Sequence, residues 1–108
     1  MTTKEGTLRK LRHLETLYQR GYQSEVVDRS LDKLIEVEQQ SSQHKLNQLS
    51  ERMQKFENQY DMDSDEFYRR FRLGELGDDV DYVEWSVFYE MRQSVQENLD
   101  LLDSNLIT

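Results

Sequence analysis

The chain contains no proline, and its four glycines fall at positions 6, 21, 74 and 77. Proline and glycine are the residues that most often stop a helix. A sequence this poor in breakers is confined to long helical segments, with turns only where glycines or polar clusters allow them. Gly74 and Gly77 sit close together in the run Phe67-Tyr68-Arg69-Arg70-Phe71-Arg72-Leu73-Gly74-Glu75-Leu76-Gly77-Asp78-Asp79, and Trp85, the single tryptophan, follows. Two glycines and several acids between aromatic pairs predict a built turn.

Hydrophobic residues make up 35% of the chain and charged residues 33%. Globular domains are usually about 45–50% apolar, so the core is small for 108 residues. Abundant Glu, Gln, Leu, Arg and Ser favour helices. Six tyrosines and four phenylalanines argue against a disordered chain. With no cysteine there is no disulfide, thiolate nucleophile or zinc–cysteine site. No apolar stretch follows Met1-Thr2-Thr3-Lys4-Glu5, and apolar runs stay short. The expectation is a cytoplasmic protein without a signal peptide or membrane span.

Leu8, Leu11, Leu14, Leu17 and Tyr18 recur at helical spacing and predict a helix over about residues 5–20. Gly21 suits a left-handed helix end, and Ser24 suits the next N-cap. The second helix starts at Glu25, carries Val26, Val27, Leu31, Leu34 and Ile35, and meets no breaker until about Tyr60. It would be about 54 Å long at a rise of 1.5 Å per residue. Its apolar stripe lapses over residues 39–45, read as a solvated waist between two packing modules, and resumes as Leu46, Leu49, Met53, Phe56 and Tyr60. The steps of three and four make a heptad seam.

Asp63 followed by Glu66 reads as an acidic capping box opening a short helix, with Ser64 an alternative cap. Phe67 and Phe71 lie on one face of that helix, which ends at Gly74. Asp79 or Asp81 then caps a last helix with a second seam: Trp85, Phe88, Arg92, Val95, Leu99, Leu102 and Leu106. The expected fold is all-α: extended antiparallel helical hairpins with a long central helix and coiled-coil-like heptad seams. Residues 1–38 form an N-terminal hairpin and residues 39–108 a C-terminal hairpin with a short connecting helix and a Gly/Asp turn. Each fully buried Leu or Phe contributes about 1.5–3 kcal/mol. A bare pair of helices buries too little, so dimerisation or a partner is expected, with the N-terminal hairpin the natural place for a homodimer contact.

The formal charge is −8. Residues 1–23 hold five basic and two acidic side chains, net +3, and residues 24–108 hold nine and twenty, net −11. An acidic body favours a basic protein partner. Asp61-Met62-Asp63-Ser64-Asp65 has the alternation of a calcium loop, but Glu66 replaces the required glycine and Arg72 the bidentate glutamate. His13 and His44 stand apart, and no nucleophile–base or phosphate-loop motif is present. Neither catalytic residues, metal nor cofactor is expected. Arg9, Lys10 and Arg12 could contact nucleic acid, although Glu25, Asp28, Asp32 and Glu36 on the following helix would repel phosphates. Arg69, Arg70 and Arg72 could pair with Asp78, Asp79 and Asp81 across the turn.

The pattern Phe67-x-x-x-Phe71-x-x-Gly74-Glu75-x-Gly77-Asp78-x-x-Asp81-x-x-Glu84-Trp85, followed by Tyr89, resembles a motif in small acidic prokaryotic helical proteins. Those proteins are similar to antitoxins encoded beside small toxin genes. Gly21-Tyr22-Gln23-Ser24-Glu25-Val26-Val27 resembles them too, and the likeness covers about residues 15–95. It implies a helical module that binds and blocks a toxin, commonly an RNase, and assigns no individual residue a role. From the residues themselves, Phe67, Tyr68, Phe71, Asp78, Asp79, Asp81, Tyr82, Trp85 and Tyr89 are the expected partner-binding set. A structural coiled-coil scaffold or adaptor, or a DNA-binding regulator using the first helix, are the other expectations.

Overall fold

A computed structural model of the chain describes residues 3–103. Those residues form four helices and no strand: α1 (Lys4–Gln19), α2 (Glu25–Tyr60), α3 (Ser64–Arg72) and α4 (Val80–Asp103). The chain divides into two compact units, Met1–Leu34 and Ile35–Thr108.

Helix ends are set by local chemistry. Thr3 caps α1 by accepting from Gly6 N–H at 3.0 Å. Ser24 opens α2, its carbonyl accepting from Asp28 N–H and its hydroxyl from Val27 N–H. Asp63, not Ser64, caps α3, with Oδ1 accepting from Glu66 N–H at 2.8 Å. The Asp79 carbonyl accepts from Val83 N–H, so Asp79 opens α4.

Two helices stop in the same way, and a third shares one of the two bonds. After α1, Gly21 (φ 94°) and Tyr22 return their N–H groups to Tyr18 O and Leu17 O. After α3, Gly74 (φ 77°) and Glu75 return theirs to Phe71 O and Arg70 O. This double bond pattern satisfies carbonyls that the helix leaves open, and it needs a left-handed residue. After α2 that residue is Asp61 (φ 51°), and Met62 N–H bonds Glu57 O at 3.3 Å. Aspartate tolerates this conformation better than most side chains do, at a cost that glycine avoids.

The first unit is an α1–α2 hairpin. Leu11, Leu14 and Tyr18 share an apolar cleft of about 170 Å³ with Val27 and Leu31. The Tyr18 hydroxyl accepts from Ser24 N–H and donates to Asp28 Oδ1 at 2.6 Å. No side chain of residues 3–34 is buried.

In the second unit, α2 and α4 run antiparallel. Phe56 packs on Trp85 and Phe88, and Tyr60 on Tyr82 and Trp85. At the other end, Gln39 meets Leu102 and Asp103. Leu49, Met53, Trp85 and Leu99 are buried at seam positions, while Arg92 is exposed and Leu106 lies outside the described residues.

The solvated waist expected at residues 39–45 is corrected in part. Helix α2 passes through it unbroken. Gln39 and Ser42, however, are half-buried and extend the three-and-four spacing of the seam towards the N-terminus. Gln39 Nε2 donates to Leu102 O at 3.0 Å and to Asp103 Oδ1 at 2.9 Å, satisfying one of the open carbonyls in the last turn of α4. A polar side chain does there what the apolar pattern could not foretell.

Candidate partner-binding site

The end of the second unit is closed by aromatic rings. Helix α3 lays Phe67 flat on Trp85, with ring centroids 3.8 Å apart and planes 5° from parallel. Both side chains are 0% exposed, and Met53 completes the buried cluster. Phe71 stacks behind Phe67 at 5.5 Å, and Tyr82 tilts against Phe67 at 5.7 Å.

A polar relay, buried at its Trp85–Ser64 end and half-buried at Glu57, joins the three helices. Trp85 Nε1–H donates to Ser64 Oγ at 2.9 Å, and the Ser64 hydroxyl donates to Glu57 Oε2 at 2.9 Å. Ser64 N–H reaches the same Glu57 oxygen at 2.8 Å. One carboxylate on α2 thereby fixes the start of α3, and through Ser64 it satisfies the indole of α4. No buried side-chain nitrogen or oxygen among the described residues lacks a partner. The sequence does not single out Glu57, and it offers Ser64 only as an alternative cap. Glu57 carries no periodic signal, and Ser64 reads as a cap rather than as an acceptor for tryptophan.

Tyrosine hydroxyls link the helices around this core. Tyr60 donates to Asp81 Oδ2 at 2.5 Å, Tyr68 to Glu90 Oε1 at 2.6 Å and Tyr89 to Asp65 Oδ1 at 2.8 Å. Tyr68 and Tyr89 also stack at 4.2 Å. The bond to Asp81, with burial behind it, pushes the Tyr60 hydroxyl up to about 12. The bond to Glu90 raises Tyr68, and the bond to Asp28 raises Tyr18 in the first unit. Tyr89 is raised first by burial and then by its bond to Asp65. The Arg69 guanidinium holds Glu66 below its ordinary range.

The expected binding residues therefore divide. Phe67 and Trp85 are wholly interior and cannot touch a partner in this fold, because α2, α3 and α4 converge on them. Tyr68, Phe71, Asp81, Tyr82 and Tyr89 are half-buried, while Asp78 and Asp79 are exposed. The arginines do not pair with the turn acids as expected. Arg69 pairs with Glu66 at 2.7 Å and Arg70 with Glu75 at 3.2 Å, both within easy local reach. Asp81 is instead held by Tyr60 and, at 3.4 Å, by Gln59. Arg9, Lys10 and Arg12 are exposed on α1.

Among the described residues, no group of three or more His, Cys, Asp or Glu is placed to hold a metal ion. No helix of those residues is long and apolar enough to cross a membrane. The chain matches no known protein family, curated protein or solved structure.

Proposed function

We propose that the chain is a non-catalytic protein-binding module, antitoxin-like, which binds and neutralises a small basic partner such as a toxin RNase. The observation that carries this reading is the division of charge between the two units. Residues 1–34 hold seven basic and five acidic side chains, net +2, whereas residues 35–108 hold seven and seventeen, net −10. A unit so acidic attracts a basic surface over several ångströms and speeds its encounter. The aromatic rings are largely engaged within the unit, so its acids and remaining apolar surface are what a partner would meet.

In the same reading the N-terminal hairpin joins two copies. It leaves Leu8, Leu11, Leu17, Tyr22, Val26 and Leu34 exposed, and no side chain among its described residues is buried. Light scattering across micromolar concentrations tests this, and a monomer throughout would contradict it.

The main test is co-expression with the product of an adjacent gene for a small basic protein. The tagged chain is expected to co-purify with that product and to relieve the growth arrest it causes. A product that neither co-purifies nor loses its toxicity would end the antitoxin reading. A second reading, DNA binding, is favoured by the exposure of Arg9, Lys10 and Arg12 on α1. It requires a gel shift on the chain's own promoter that disappears in Arg9→Ala/Lys10→Ala/Arg12→Ala.

A further inference from the structure

Helix α4 is apolar on more of its circumference than its packing uses. One face buries Trp85 and Leu99, with Phe88, Val95 and Leu102 half-buried beside them. A different face carries Val80, Val83, Val87 and Met91, in steps of three, four and four. These four side chains remain between 45% and 79% exposed. A surface helix with a single interface needs a single apolar stripe. A second, contiguous row marks an interaction surface.

Charge decides what can cover the row. Glu84 lies along one edge, where Arg52 and Lys55 of α2 line the same cleft, and Glu90, which also accepts from Tyr68, and Glu97 lie along the other by helical spacing. An open groove of about 500 Å³ continues the row, lined by Val87, Glu90, Met91, Ser94, Val95 and Lys45 of α2. Lys45 is the one base in that lining. The unit as a whole carries −10. A second copy packed through the same row would bring another −10 against it, and an anionic lipid surface would be repelled likewise. A basic amphipathic helix has the matching pattern. Its apolar stripe would lie along the valines, and its Lys or Arg side chains would reach the flanking glutamates.

We infer that the Val80–Val83–Val87–Met91 row of α4 is the docking surface for a basic amphipathic helix of a partner protein. This rests on the protein-binding reading above and moves its contact from the aromatic turn to the outer face of α4. Affinity comes from the apolar row. The glutamates select positive partners and set the dependence on salt.

The probe is a synthetic amphipathic helix with leucine along one stripe and lysine elsewhere, labelled for fluorescence anisotropy, beside an analogue with glutamate for lysine. The full chain is expected to bind the lysine peptide and not the glutamate peptide. Val83→Ser/Val87→Ser/Met91→Ser keeps every charge and is expected to bind about tenfold more weakly, or worse, a loss of at least 1.4 kcal/mol. Its ellipticity and melting should be unchanged, because the replaced side chains are exposed. Equal affinity of this variant would show attraction by charge alone and overturn the inference. So would binding of the glutamate peptide, or loss of a dimer in the variant, which would make the row a contact between copies. Co-expression separates the two levels. A basic partner retained by the triple variant removes the row but leaves the binding module. Absence of any partner for the wild type removes the antitoxin reading and leaves the peptide result standing.

Discussion

Trp85 donates its indole N–H to Ser64 Oγ at 2.9 Å inside the protein, where neither group meets water. Ser64→Ala leaves that donor unsatisfied and removes one of the two bonds from Ser64 to Glu57. The expected loss is about 1–3 kcal/mol, read from urea unfolding. Glu57→Gln should cost less, because an amide oxygen still accepts both Ser64 donors. A larger loss for Glu57→Gln would mean that the charge, not the geometry, holds the junction.

Phe67→Ala opens a cavity against the face of Trp85. Removing a fully buried aromatic ring costs about 3–5 kcal/mol, a large part of the roughly 5–15 kcal/mol that holds a natural domain together. Tryptophan emission should shift to the red and thermal unfolding should lose its sharpness. Phe71→Ala, at a half-buried ring, should do measurably less.

The three helix ends with left-handed residues make a set with opposite expected signs. Gly74→Ala and Gly21→Ala force a Cβ into a left-handed backbone and should each cost about 1–2 kcal/mol. Neither glycine has an atom in the way of that Cβ, so the cost is conformational rather than steric crowding by neighbours. Asp61→Gly relieves the same strain and should raise stability by about 0.5 kcal/mol after the added freedom of the unfolded chain is counted. Thermal melts of the three variants check the pattern.

Tyrosine ionisation predicts an alkaline limit. The folded Tyr60 hydroxyl lies at about 12, above the ordinary tyrosine value of about 10. A raised folded value means that the contribution is complete below about pH 10 and is lost as pH climbs towards 12. Tyr18, Tyr68 and Tyr89 move in the same direction. Tyr60→Phe should flatten stability against pH across that window, measured by urea midpoints. An unchanged slope would show that the hydroxyl does not hold Asp81 in solution.

Much of the fold was legible because its signals are local. Gly21, Ser24, Asp63 and Gly74 act within a turn of where they stand, and they end or begin the helices expected of them. Seam spacing identified Leu49, Met53, Trp85 and Leu99 as inward-facing. The site was less legible. An aromatic residue near acids reads the same whether it faces solvent or fills a three-helix junction. Only the convergence of α2, α3 and α4 places Phe67 and Trp85 inside. Gln39 and Glu57 act through polar side chains that cross between helices, and no periodicity marks such residues. Arg69 and Arg70 pair with acids three and five residues away, on their own helix or just beyond it, and such short-range pairs leave no trace in the spacing of the turn acids.

Because the only tryptophan is sealed under Phe67 in the second unit, the molecule carries an optical reporter that is blind to its first unit. Emission follows the aromatic junction, whereas far-ultraviolet ellipticity follows all four helices. A chain whose N-terminal hairpin frays early would lose ellipticity while its fluorescence stayed native. The gap between the two curves would then measure how far that hairpin depends on being covered.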